Sequence, residues 1–253
     1  MIEIQNLTKS YSKNVFAVKD VSLKCERGIT GLIGLNGAGK STILKCCTSF
    51  FYPTSGKVLL SDGEGMFFDS EENSPAAKRN TGYVPEISFL PKKLTVRELL
   101  KSAMQIFEVP ENKKEEYFSQ AVKSCFLEDV LDKKIGTLSK GYVQRTLLAN
   151  AIIHRPENLI LDEASSALDP SQIIHFRNLV KEYSKNHTVL ISTHIMQEVS
   201  ALCDKIYVIR EGRIAACGTE NEILEKTETS SLEKAFLVLN DIKNPESGDF
   251  FHE

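Results

Sequence analysis

The stretch GLNGAGKST, Gly34 to Thr42, restricts this chain more than any other part of it. Glycines cluster there directly after the apolar run GITGLIG. Glycine loses more backbone freedom on folding than other residues, so a cluster marks a loop with special backbone geometry. The spacing fits G-x-x-x-x-G-K-[ST], with Gly34, Gly39, Lys40 and Ser41 in the fixed places. Such a loop turns its backbone N–H groups inward and wraps a phosphate chain. Here it comprises Gly34, Leu35, Asn36, Gly37, Ala38, Gly39, Lys40, Ser41 and Thr42. Lys40 is expected to reach the β- and γ-phosphates, and the Ser41 hydroxyl to ligate Mg²⁺. The flanks agree with this reading. The preceding run suits a buried strand, and STILKCCTSFF, without Gly or Pro, suits a helix. That order points the free N–H groups and positive dipole end of the helix at the anion.

Composition narrows what surrounds such a loop. The 253 residues suffice for one large α/β domain or two small ones. A net charge of −3 provides no basic field, which argues against direct nucleic-acid binding. No apolar run reaches membrane-spanning length, and Met1 leads into a strand pattern rather than a signal peptide. Cys25, Cys46, Cys47, Cys125, Cys203 and Cys217 show no C-x-x-C spacing. They are expected to act as small buried hydrophobes in a reducing compartment. The expectation is a soluble cytoplasmic protein.

Residues 2–24 alternate around the turn residues TKSYSKN, which predicts an antiparallel strand pair. SGKVLLSDGEG reads as a strand and turn, DSEENSPAAK as an exposed polar loop, and NTGYVPE as a short strand stopped by Pro85. Thr95 and Glu98 form a T-x-x-E capping box before LLKSAMQIF, and KKEEYFSQAVKSCFL continues in helical period. Residues 87–150 therefore read as a helical insertion. ENLILDE, HTVLISTH and KIYVIREG are apolar runs separated by helical stretches, which predicts a mostly parallel sheet covered on both faces. SLEKAFLVLND suits a short amphipathic helix, and the last ten or so residues suit disorder. The domain reading is one unit over 1–228, then a C-terminal helix and polar tail over 229–253.

In NLILDEASSALDP an apolar run ends in Asp162 and Glu163. Carboxylates at the end of a buried strand are costly unless they meet a cation or move a proton. Open parallel sheets place ligands at this end, beside the glycine loop. Asp162 is expected to hold Mg²⁺, and Glu163 to orient or deprotonate an attacking water.

At this point the chain resembles the ATP-binding-cassette ATPases. LSKGYVQR, Leu138 to Arg145, is similar to their LSGGQ signature, agreeing at Leu138, Ser139 and Gly141 and departing at Lys140 and Tyr142. Ser139 is placed to cap the helix GYVQRTLLANAII, which makes a second anion-binding helix end. SALD, Ser166 to Asp169, fits the family's D-loop, with Pro170 at N1 of the next helix. STH ends a strand at His194, where the family keeps its switch histidine. Tyr11 lies where the family stacks an aromatic ring on adenine. The resemblance spans roughly residues 2–220, with its motifs in the family's order. It implies an α/β P-loop NTPase fold with an N-terminal antiparallel β subdomain and a helical insertion. It also implies ATP and Mg²⁺ as ligands, with hydrolysis of ATP to ADP and phosphate. The signature of one subunit would close on the γ-phosphate held by the other, as homodimer or heterodimer. A separate transmembrane permease would dock on the insertion near Glu86, leaving the chain peripheral to the cytoplasmic face of the membrane.

One departure carries chemistry. Where the family usually has Pro-Gln, this chain has Pro85-Glu86. A carboxylate here can bind the metal directly, or its pKa can rise beside Asp162 and Glu163. With LSKG and the short insertion, this resembles the branch that drives ABC-2-type exporters. Two other readings stand beside it. One is a soluble ATPase of the same superfamily acting in translation or DNA repair, and the other is a P-loop small-molecule kinase, which would explain neither LSKG nor STH.

Overall fold

The computed structural model of the chain describes residues 1–242 apart from Asn14, Ser88 and Ala167. The chain opens with β1 (Ile2–Ser12) and β2 (Val15–Cys25), paired antiparallel with Ile2 opposite Cys25 and Ile4 opposite Leu23. Alternation buries Ile2 and Ile4. Past Ile4 the register shifts, Asn6 takes φ 49°, and Leu7 rather than Asn6 turns into the core. β3 (Gly28–Ile33) is buried along almost its whole length and runs through the glycine loop into α1 (Lys40–Cys47).

β4 (Ser55–Ser61) joins the first sheet beside β1, and β5 (Phe67–Asp69) closes its edge. The stretch expected to be an exposed loop differs in part. Its second half is the short helix α2 (Ser74–Arg79), with Pro75 in the first turn and Ala77 fully buried. Proline suits the first turn, where its missing N–H has no partner to lose. β6 (Thr81–Val84) then stops at Pro85, as the sequence predicts.

The insertion begins with α3 (Val96–Ile106), and its capping box is present. Glu98 N donates to Thr95 Oγ1 at 3.1 Å, and Thr95 N donates to Glu98 Oε2 at 2.8 Å. α4 (Lys114–Ser124) and α5 (Lys140–Ile152) complete it. The insertion has no separate core. Leu100, Val122 and Leu127 belong to the same buried cluster as Leu159, Val189 and Ile191 of the sheet. α5 is the joint, since Leu147, Leu148 and Ala151 pack in that cluster.

β7 (Asn158–Asp162), α6 (Pro170–Ser184), β8 (Thr188–Ser192), α7 (Met196–Leu202) and β9 (Lys205–Arg210) alternate as the sequence predicts. β7 and β8 are buried at every position, which is why they read as continuous apolar runs. The second sheet has the order β10-β9-β3-β8-β7-β6, where β10 (Arg213–Gly218) turns back antiparallel on β9 and the other pairs are parallel. α8 (Glu220–Thr227) and α9 (Leu232–Leu239) follow, with Leu232, Ala235 and Phe236 buried. The expected disordered end lies outside the described residues. Among the described residues no helix is long and apolar enough to cross a membrane.

Cys25, Cys46, Cys47 and Cys125 are buried as expected, but Cys203 is only partly buried and Cys217 on the edge strand β10 is exposed. Burial pushes the Cys25, Cys125 and Cys203 thiols up to about 12, so none of these is a ready thiolate at neutral pH. A disulfide dye should therefore label one thiol of the native chain quickly and all six after denaturation. Cys217→Ser should remove the fast phase, as followed by absorbance.

Candidate active site

Four strands of the parallel sheet end at one edge, and each delivers a residue there. β3 leads into Gly34–Gly39, β6 into Glu86, β7 into Asp162 and Glu163, and β8 into His194. Strand β8 stops at Ser192, so His194 stands two residues beyond the strand rather than at its last position. The cavity at this edge holds about 390 Å³ and is lined by Ala17, Asn36, Gly37, Gly39, Lys40, Ser41, Thr42, Glu86, Glu163, Ser166 and His194.

The glycine loop is shaped by close approach. Gly39, the N-cap of α1, has φ 109°, and a Cβ there would lie 2.6 Å from the Ala17 carbonyl oxygen. Only glycine combines that backbone with that contact. Lys40 is 7% exposed, and its Nζ donates to the carbonyls of Gly34 at 2.7 Å and Leu35 at 3.2 Å. Burial lowers its pKa, while Glu163, Asp162 and Glu86 pull it back up. The ammonium therefore lies inside the loop with uncharged partners.

Asp162 is 2% exposed, and Ser41 Oγ stands 3.5 Å from its Oδ1. Burial raises the Asp162 pKa, opposed by the Ser41 hydroxyl. Among the described residues no group of three or more His, Cys, Asp or Glu is arranged to hold a metal by itself. One hydroxyl and one carboxylate form a partial set of hard oxygen donors. That suits Mg²⁺, which keeps waters and takes substrate phosphate oxygens as further ligands. Glu163 has φ 49° and accepts from His194 Nδ1 at 2.8 Å. Its backbone N–H donates to the Ser192 carbonyl at 2.9 Å, which ties β7 to β8 one residue beyond their last pair.

Not every expected residue is in the wall. Leu35 and Ala38 instead line a smaller cavity with Arg210 and Asn240, which shares Asn36 and Gly37 with the first. Gly34 contributes its carbonyl to Lys40. Tyr11 is half exposed, sets its ring edge-on to Phe51 at 5.7 Å, and meets the site only where its hydroxyl lies 3.2 Å from Thr42 Oγ1. Ser139 does cap α5, accepting from Tyr142 N at 3.4 Å, but Ser139 and Gly141 are absent from this cavity wall. Ala17 was missed, because its part is a backbone carbonyl against Gly39 and a carbonyl leaves no sequence signal.

Nucleotide loop, acidic strand end and sheet order define a P-loop ATPase of the cassette type. The family model of ABC transporters matches residues 18–166. The chain is 32% identical to the uncharacterized ABC transporter ATP-binding protein YxlF of Bacillus subtilis (strain 168), over 91% of this chain and 75% of that one. It is 34% identical to the methionine import ATP-binding protein MetN of Haemophilus influenzae (strain 86-028NP), over 90% and 68%. A solved ATP-binding subunit of an ABC transporter superposes with a TM-score of 0.87 at 28% identity, covering 94% of this chain and 99% of that one. The chain belongs to the ABC transporter family, as its ATP-binding, ATP-hydrolysing subunit.

Replacing Lys40 removes the one cation buried in the loop. Lys40→Ala should weaken ATP binding by roughly tenfold or more, the scale of a lost charge-assisted contact. Titration with a fluorescent nucleotide checks this, and parental affinity would exclude Lys40 from phosphate binding.

Proposed function

We propose that this chain energises a separate membrane permease by binding and hydrolysing MgATP at the sheet edge described above. The observation that carries the reading is that Lys40, Ser41, Glu163 and His194 line one cavity, with buried Asp162 next to Ser41. In this reading the N–H groups of Asn36 to Thr42 wrap the phosphates, and Lys40 leaves the Gly34 and Leu35 carbonyls for phosphate oxygens. Ser41 and Asp162 would hold Mg²⁺, which would supply charge neutralisation at the phosphates when bound. Glu163 takes the proton of the attacking water. The His194 Nδ1–H donates to Glu163, fixing the carboxylate and leaving Nε2 for the γ-phosphate side. Glu86 lines the same cavity, where its carboxylate would be available to the metal. Tyr11 supplies an aromatic surface for the base beside Thr42. Catalysis is positioning and charge stabilisation.

Ser139 and Gly141 lie away from the chain's own cavity, so they serve a second copy or a related subunit. There the capped N-terminus of α5 faces the γ-phosphate. Permease docking belongs to a groove of about 700 Å³ lined by Phe50, Arg79, Tyr83, Ile106, Phe107 and His154. Phe50 and Ile106 are 70% and 73% exposed there, and Ile87 and Phe89 beside Glu86 are exposed as well. Exposed apolar clusters of this kind suit a protein partner. The subunit would then sit on the cytoplasmic face of the membrane.

Export of the ABC-2 type is the finer reading, and it rests on Glu86 and Lys140. The methionine import relatives favour the opposite direction, and proteoliposomes bearing the ATPase outside separate the two. With ATP added outside, export loads the lumen and import empties it.

Glu163→Gln keeps shape and loses the base. It should lower turnover by about 10²-fold or more and hold an ATP-bound dimer in light scattering. A monomer at saturating MgATP would sink the dimer mechanism. The same variant, tagged and solubilised from host membranes in MgATP, should co-purify with a multi-spanning protein, and Ile106→Glu should weaken that capture. Recovery of only soluble partners would replace the transport reading with a mechanical ATPase.

A further inference from the structure

The turn that carries Glu163 is not held by its own neighbours alone. Glu163 has a left-handed backbone, a conformation that a non-glycine residue keeps only when its surroundings impose it. Within the turn, Ser166 N donates to the Glu163 carbonyl and Leu168 N to the Ser165 carbonyl. The carbonyl between them, that of Ala164, is taken by another element. Gln144 of α5 donates to it through Nε2 at 2.7 Å, and Gln144 is only 8% exposed.

Packing and the amide hold this turn together: Ala164 is buried in the apolar cluster shared by the sheet and the insertion, with Leu168 packed against it. A cavity of about 270 Å³ opens beside the tie, with Gln144, Ala164, Leu168 and Gln172 in its wall. Apolar contacts have no direction, so the amide is what sets the orientation of the Ala164 carbonyl. A second contact lies nearer the start of α5. A Cβ on Gly141 would lie 2.5 Å from Gln172 Oε1. Gln172 is the capping-box partner of Asp169, the N-cap of α6. The segment from Glu163 to Asp169 is therefore bounded by α5 at both ends.

We propose that Gln144 is a positioning residue for ATP hydrolysis, whose amide fixes the Glu163 turn to the helix that carries Ser139 and Gly141. The inference rests on the reading of Glu163 as the base. The donor matters because carbonyl and carboxylate belong to adjacent residues. Freeing the Ala164–Ser165 peptide loosens the turn directly after Glu163, so the carboxylate would be less firmly held against His194 and the attacking water. Nucleotide binding by the glycine loop does not use this contact.

The test compares parent, Glu163→Gln, Gln144→Met and Gln144→Glu in the purified full-length chain, together with its permease where one co-purifies. Gln144→Met keeps length and removes the donor. It should lower kcat at least tenfold while KM and the ADP dissociation constant stay within about twofold. In Gln144→Glu the charged carboxylate faces a carbonyl and cannot donate. Burial raises the pKa of such a group, and its protonated form can donate to Ala164. The ratio of variant to parent kcat should therefore rise as pH falls from 8.5 to 6. A parental kcat in Gln144→Met, or a kcat lost in step with ADP affinity, overturns the proposal. If the methionine variant does not fold, a pH-independent ratio in Gln144→Glu overturns it equally. Parental turnover in Glu163→Gln would instead overturn the reading of the base, and the two failures are distinct.

Discussion

A buried ammonium without an acidic contact governs this sheet edge. Lys40 is held by two carbonyls of its own loop, and among the described residues no carboxylate pairs with it. Carbonyl oxygens solvate a cation but do not cancel its charge. Burial consequently lowers the Lys40 pKa, and only the more distant field of Glu163, Asp162 and Glu86 resists that. In the proposed reading an arriving phosphate chain would remove this cost by providing the missing negative charge. The affinity of the loop would then come partly from relieving a penalty already present in the fold.

The penalty is tolerable because rigid strands fix everything around it. Asp162 and Ser192 are paired across β7 and β8, and both strands are buried throughout. Strand ends in a packed sheet do not drift, so Asp162 and the adjacent Glu163 are held in place, with Ser41 on α1 facing Asp162. The helical insertion is less independent than its name suggests. It shares one apolar cluster with the sheet, joined through α5. A partner docked on the insertion, as proposed, would be coupled to the sheet edge through packed side chains.

What could be read from the sequence is what local chemistry encodes. The glycine loop, the Thr95–Glu98 box and the acidic end of β7 each depend on neighbours a few residues apart, and the structure places each as read. The antiparallel strand β10 was not resolved. It pairs through a tight turn at Glu211 and Gly212, both at positive φ, in a stretch of weak alternation. Helix α2 was hidden for a related reason. Its sequence is polar, and the burial of Ala77 comes from tertiary packing. Tyr11 was placed beside the site but not in its wall, because ring orientation depends on Phe51, forty residues away. The bond from Gln144 to Ala164 lies beyond pattern reading altogether, since its acceptor is a backbone atom.

α5 gathers these points into one constraint. Its N-terminus carries Ser139 and Gly141, which do not line the cavity at the chain's own sheet edge. Less than two turns further on, Gln144 grips the segment that bears Glu163. An α-helix is stiff over that length, so the two contacts cannot move separately. In the proposed dimer, the N-terminus of α5 serves the partner's nucleotide while Gln144 steadies the chain's own base. If the dimer forms as proposed, closure around one ATP would act on the same rigid helix that holds the turn beside the other. Both contacts lie on α5, so a link between the two sites would need no further element within the subunit.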